Sequence, residues 1–132
     1  MNRMNDVAIR QVKVWWAIWF SFQVGLFFYY FLLVKPPEGP SRPSPTGSGW
    51  MVVLVPLALS AVCRWVLLPR AKNLQMAFVQ FILGIAFAEA VCFFAIFLFP
   101  ERLQVLFPLS VVGVFQFVPV YARRIMEREM SG

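Results

Sequence analysis

The sequence predicts an all-α polytopic membrane protein with four transmembrane helices and both termini in the cytoplasm (N-in/C-in), folded as a single domain over residues 1–132. Hydrophobic residues make up 61% of the chain, charged residues make up only 14%, and the mean hydropathy is +0.73. A soluble domain usually carries about 25% charged residues. The apolar residues also form long blocks with the charges between them, which is typical of membrane spans.

Four apolar blocks are long enough to cross a hydrocarbon core of about 30 Å. They comprise residues 14–34, 50–68, 74–99 and 103–121. The first block ends in Leu-Val-Lys-Pro-Pro rather than in the small residues of a signal-peptide cleavage site, so we expect it to be retained. Residues 35–49 are rich in Pro, Gly and Ser, which predicts an exposed external loop. Pro56 predicts a kink in the second span.

Basic residues are distributed unequally between the two predicted sides of the membrane. One side carries Arg3, Arg10, Lys13, Arg64, Arg70, Lys72, Arg123, Arg124 and Arg128, and the other carries Lys35, Arg42 and Arg102. The positive-inside rule places the richer side, and with it both termini, in the cytoplasm. We therefore expect a multi-pass protein of the plasma (inner) membrane.

The charged and reactive residues exclude several classes of function. The net charge is +6, but the basic residues lie at the predicted helix ends, where they meet lipid headgroups, so no nucleic-acid partner is expected. The chain has no histidine and only two cysteines, neither in a CxxC motif. This composition predicts no metal site, no cofactor and no enzyme activity.

Glu89 is the only acidic residue inside any predicted span, and it lies near the middle of the third. A charged side chain at the centre of a membrane helix costs about 2.5–3.5 kcal/mol on translocon scales, so we expect the carboxyl to be neutral or paired. Gly84, Ala88 and Cys92 recur at four-residue spacing beside it, which predicts close helix packing. A second small-residue stripe, Ala86 and Ala90, flanks the carboxyl and predicts that it faces protein.

Polar side chains on the other predicted helices lie at a similar depth and are candidate partners of Glu89. They are Gln23, Ser60, Arg64, Ser110 and Gln116. Arg64 is the only cation of this group, and the two long side chains would narrow the difference in depth between them. Because serine also packs membrane helices without any ligand, a purely structural interpretation of this group stays open.

The segment of residues 84–97, which begins Gly84-Ile-Ala-Phe-Ala-Glu89-Ala, resembles the carboxylate-bearing helix of rotary ATP synthase c-subunits. In that family a Gly/Ala-rich stretch leads into a glutamate that carries a proton or a sodium ion. The resemblance implies that Glu89 binds and releases a proton. The preceding span carries Pro56 and Arg64 in place of the family's glycine repeat, so the resemblance applies to Glu89 alone.

Two functions fit these observations. The first is a structural or accessory membrane protein that packs in the lipid bilayer as a homo-oligomer or within a larger membrane complex. The alternative is a proton- or ion-handling protein that uses Glu89. The small size and the absence of a catalytic triad favour the first.

Overall fold

The computed structural model describes residues 2–34 and 48–131, and these ranges are helical with no strand. Four helical stretches in the described residues are long and apolar enough to cross a membrane, as the sequence predicts. They are Ile9–Leu33, Ser48–Arg70, Leu74–Leu98 and Pro100–Glu127. Residues 35–47 of the predicted external loop lie outside the described residues.

The first two spans differ in regularity. Helix α1 covers Asn2–Leu33 without interruption. The second span changes helix type along its length: it consists of a 3₁₀ segment Ser48–Val53, helix α2 (Leu54–Val62), a π-helical turn Cys63–Leu67 and a 3₁₀ turn Leu68–Arg70. Pro56 lies in the first turn of α2, so it marks the change from 3₁₀ to α geometry rather than a kink in the middle of the span.

Helix α3 (Leu74–Leu98) is the central element of the bundle. It begins where the side chain of Asn73 accepts a hydrogen bond from the backbone N–H of Met76 at 2.8 Å, an N-cap. Its buried residues recur every three or four positions and form one face that meets the other helices. They are Ala77, Gln80, Phe81, Gly84, Ile85, Ala88, Val91, Cys92 and Ala95.

The fourth span is present but is interrupted near the end of the predicted block of residues 103–121. Helix α4 (Leu103–Phe115) ends before a short non-helical link, which leads to a 3₁₀ turn Pro119–Tyr121 and helix α5 (Ala122–Ser131). Proline has no backbone N–H and disfavours helical geometry in the residue before it. Val118 accordingly has ψ of 122°, which ends the helix.

Aromatic contacts fix the relative directions of the helices. Near the start of α1, Trp15 stacks on Phe81 of α3 with ring centroids 4.8 Å apart, and near its end Tyr29 lies 4.9 Å from Phe93. Helices α1 and α3 are therefore parallel. Phe117, which follows α4, lies 6.3 Å from Phe81, near the start of α3, so α4 runs antiparallel to α3.

The start of α1, the turn between the second and third spans and the start of α5 consequently lie at one end of the bundle. We call it the basic end because it carries Arg10, Lys13, Arg64, Arg70, Lys72 and Arg124 among the described residues. At the opposite end, the guanidinium carbon of Arg102 lies 5.5 Å from the Trp50 ring centroid.

Candidate functional site

Glu89 lies half-buried where α1 and α3 meet. A Cβ added at Gly25 of α1 would be 3.7 Å from Oε1 of Glu89, so the carboxyl occupies space that this glycine leaves open. One turn further along, the ring contact between Tyr29 and Phe93 closes the α1–α3 contact. The carboxyl therefore meets protein on the α1 side.

The opposite side of the carboxyl is open. Ala86, one turn before Glu89 on α3, is exposed, and Ala90 is partly exposed. In the described part of the chain, no residue donates a hydrogen bond to Glu89 and no cation pairs with it. The carboxyl thus lies beside small side chains with its hydrogen-bonding capacity unused.

Two of the predicted partners, Ser60 and Ser110, bind the backbone of α3 instead. The hydroxyl of Ser60 donates to the carbonyl of Gly84, and that of Ser110 donates to the carbonyl of Ala88, each at 2.7 Å. These bonds need close helix approach, which small residues permit. A Cβ added at Gly113 would lie 2.9 Å from that of Ala88, and Cys92 is buried on the same face.

Arg64 and Gln116 form a second polar group at the break in the fourth span. The Nε of Arg64 donates to the backbone carbonyl of Gln116 at 2.7 Å, and its guanidinium carbon lies 4.3 Å from the Tyr121 ring centroid. The Gln116 side chain donates to the Ser60 hydroxyl and accepts from the indole N–H of Trp65, both at 3.2 Å. We call Ser60, Arg64, Trp65, Gln116 and Tyr121 the Arg64 network.

The single polar cluster around Glu89 is therefore not present: its predicted members divide between α3 carbonyls and the Arg64 network. Arg64 binds Gln116 because the break leaves that carbonyl without its helical donor, since the N–H of Val120 bonds to Val118 instead. Gln23, the remaining candidate, is buried, and its Oε1 has no hydrogen-bond partner among the described residues.

Four polar residues were not anticipated from the sequence: Trp65 of the Arg64 network, and Trp19, Gln80 and Tyr121. The indole N–H of Trp19 donates to the carbonyl of Val114 at 3.0 Å, next to the break. Gln80 and Tyr121 each bury a side-chain oxygen that has no partner in the described residues. Pro119 is the sequence signal for the break, because proline has no backbone N–H and disfavours helical geometry in the residue before it. No sequence signal identifies these four side chains.

Cys63 and Cys92 are free and buried, and the described residues contain no group of three His, Cys, Asp or Glu side chains that could hold a metal. Comparison of the chain with family models, curated proteins and solved structures gives no match. The resemblance of residues 84–97 to the c-subunit helix stays a prediction.

Proposed function

We propose that the chain is an accessory subunit of the plasma (inner) membrane that docks against another transmembrane helix through the surface around Glu89. The unpartnered carboxyl carries this proposal. Ser60, Ser110 and Gln116 have hydrogen-bond partners within the described residues, whereas Glu89 has none there. A protonated carboxyl donates one hydrogen bond and accepts others, so a polar group on a partner helix would complete it.

The shape of the surface supports the same role. The small, exposed side chain of Ala86 leaves room for a helix backbone to approach the carboxyl closely. Helix α1 also exposes large apolar side chains that lipid or a partner must cover. They are Phe20, Val24, Phe27, Phe28 and Phe31. Interhelical hydrogen bonds in membranes contribute about 0.6–2 kcal/mol each, so one such bond at a close contact favours association.

The accessory role is tested by the size of the assembly in mild detergent. We expect the wild-type protein to purify as a homo-oligomer or with a second membrane protein. Ala86→Leu should reduce it to a single chain, because leucine would cover the carboxyl. Ala58→Leu is the matched control, since Ala58 is also an exposed alanine but lies on α2. A wild-type protein that purifies as a single chain would refute the proposal.

Proton handling is the alternative function that the Glu89 carboxyl supports. Substitution of Glu89 distinguishes it from docking. Glutamine keeps the size and the two-sided hydrogen bonding of a neutral acid but cannot release a proton. We expect Glu89→Gln to assemble like the wild type and Glu89→Leu to lose the assembly. If wild-type proteoliposomes conduct protons and Glu89→Gln abolishes the conductance while leaving assembly intact, proton handling is the correct function.

The proposed orientation has four spans with both termini in the cytoplasm, and cysteine labelling tests it. Ser41→Cys should react with an impermeant maleimide on intact cells, whereas Ser131→Cys should react only after permeabilisation. Cys63 and Cys92 are buried, so they should give little background. Reaction of the Ser131→Cys variant on intact cells would show that the C-terminus is outside.

A further inference from the structure

A cavity of about 370 Å³ opens at the basic end, between the turn after the second span and the start of α5. Sites for small ligands usually measure about 300–1,000 Å³, so this cavity fits a small group. Its lining residues are Arg64, Leu68, Pro69, Ala71, Lys72, Asn73, Leu74, Tyr121, Arg124 and Ile125. It is separate from the surface around Glu89.

The charged residues that line the cavity in the described part of the chain are all positive. They are Arg64, Lys72 and Arg124, and no carboxylate is among the described lining residues. Within the described ranges no carboxylate pairs with any of these three residues. Cations gathered in one cavity repel one another, and a bound anion would remove that repulsion.

Arg64 is held in a position that leaves its terminal nitrogens free. Its Nε is bound to the Gln116 carbonyl at 2.7 Å, and its guanidinium packs on the rings of Tyr121 and Trp65. Neither terminal nitrogen donates a hydrogen bond to a described residue. A guanidinium held in this way presents its remaining N–H groups to a tetrahedral oxyanion without losing further rotamer freedom.

The start of helix α3 adds donors to the same space. Helix α3 begins at the cavity wall with Asn73 and Leu74, so the positive end of its macrodipole lies there. Asn73 uses its side-chain oxygen to cap Met76, which leaves its amide N–H groups available.

We propose that this cavity binds a phosphate ester, and specifically the headgroup phosphodiester of an anionic membrane lipid. The cations and the helix N-terminus recognise the phosphate oxygens. Leu68, Leu74 and Ile125 supply apolar walls for the glycerol and the first acyl carbons. Basic pockets between transmembrane helices at a membrane boundary suit such headgroups.

The source of the phosphate is tested by ligand-dependent stability of the full-length protein in a neutral detergent. Thermal unfolding, followed by tryptophan fluorescence, is measured with dioctanoyl phosphatidylglycerol, with dioctanoyl phosphatidylcholine and with glycerol phosphate. We expect the unfolding temperature to rise with phosphatidylglycerol and to stay unchanged with phosphatidylcholine. An equal rise with glycerol phosphate would overturn the lipid assignment and leave a soluble phosphate ester as the ligand. No rise with either anion would overturn the site.

Substitutions that remove one positive charge each test whether the lining cations bind the lipid. Lys72→Gln and Arg124→Gln should each weaken phosphatidylglycerol binding about ten-fold, the loss expected for one charge-assisted hydrogen bond. Arg70→Gln removes an exposed cation two residues from Lys72 that does not line the cavity, so it should bind as the wild type does. Equal weakening in all three variants would indicate general electrostatic attraction and overturn the site.

Discussion

Gly84→Ala is expected to lower the free energy of unfolding by about 1–3 kcal/mol, the range for overpacking a filled core. A Cβ at this position would overlap the ring of Phe117. The ring is fully buried and lies against Phe81, so it has no free space to move into. Helix α3 is also held from the other side, because the Gly84 carbonyl accepts the Ser60 hydroxyl at 2.7 Å.

The measurement is denaturant or thermal unfolding of the purified protein, with Gly49→Ala as the control. A Cβ at Gly49 would meet nothing within 4 Å. Shortening the opposing ring in the double variant Gly84→Ala/Phe117→Leu should recover part of the loss, since the overlap would be relieved. Wild-type stability of Gly84→Ala with Phe117 intact would show that the contact is not tight.

Gly84 also shows how far the sequence predicts this fold. Its four-residue spacing with Ala88 and Cys92 predicts a face that packs closely, and that face is buried in α3. The same spacing does not identify the opposing side chain. Phe117 reaches Gly84 only because the chain leaves helical geometry after Phe115, and such a break depends on one proline rather than on a periodic pattern.

The four spans were predictable because each is a long apolar block. A helix that crosses the hydrocarbon core must be apolar over about 20 residues, so this pattern is easy to recognise in a sequence. The grouping of polar residues was not. Residues of similar depth in a membrane need not share a face, and Ser60 and Ser110 bind the nearest α3 carbonyls. The position of Glu89 in an apolar span was enough to mark it as unusual. The sequence did not show that Arg64, its predicted cationic partner, would instead bind the Gln116 carbonyl that the break exposes.

Arg64→Met is expected to destabilise the protein by about 2–4 kcal/mol. The substitution leaves the partly buried Gln116 carbonyl without the donor that replaces its helical N–H, which costs about 1–3 kcal/mol. It also removes a cation lying 4.3 Å from the Tyr121 ring centroid, a contact that contributes about 0.5–2 kcal/mol. Methionine retains an unbranched apolar stem, so packing along the side chain changes little.

Arg64→Lys should fall between the wild type and Arg64→Met. Lysine keeps a positive charge but lacks the planar guanidinium that binds the carbonyl while packing on two aromatic rings. Arg70→Met is the matched control, because Arg70 is an exposed cation at the same end of the bundle. If Arg64→Met and Arg70→Met unfold at the same denaturant concentration, the break in the fourth span does not depend on Arg64.

The break also predicts how the stability losses from substituting Arg64 and Trp19 should combine in a double variant. The two side chains donate to different carbonyls of the same interrupted turn, Arg64 to that of Gln116 and Trp19 to that of Val114, which also accepts from the N–H of Phe117. If the turn re-forms as a continuous helix when one donor is lost, the second substitution should lower the free energy of unfolding by less in the double variant than it does in the wild-type protein. Pro119 prevents that rearrangement because it has no N–H to offer. We therefore expect the losses from Arg64→Met and Trp19→Phe to add, and a double variant clearly more stable than the sum would show that the fourth span can straighten.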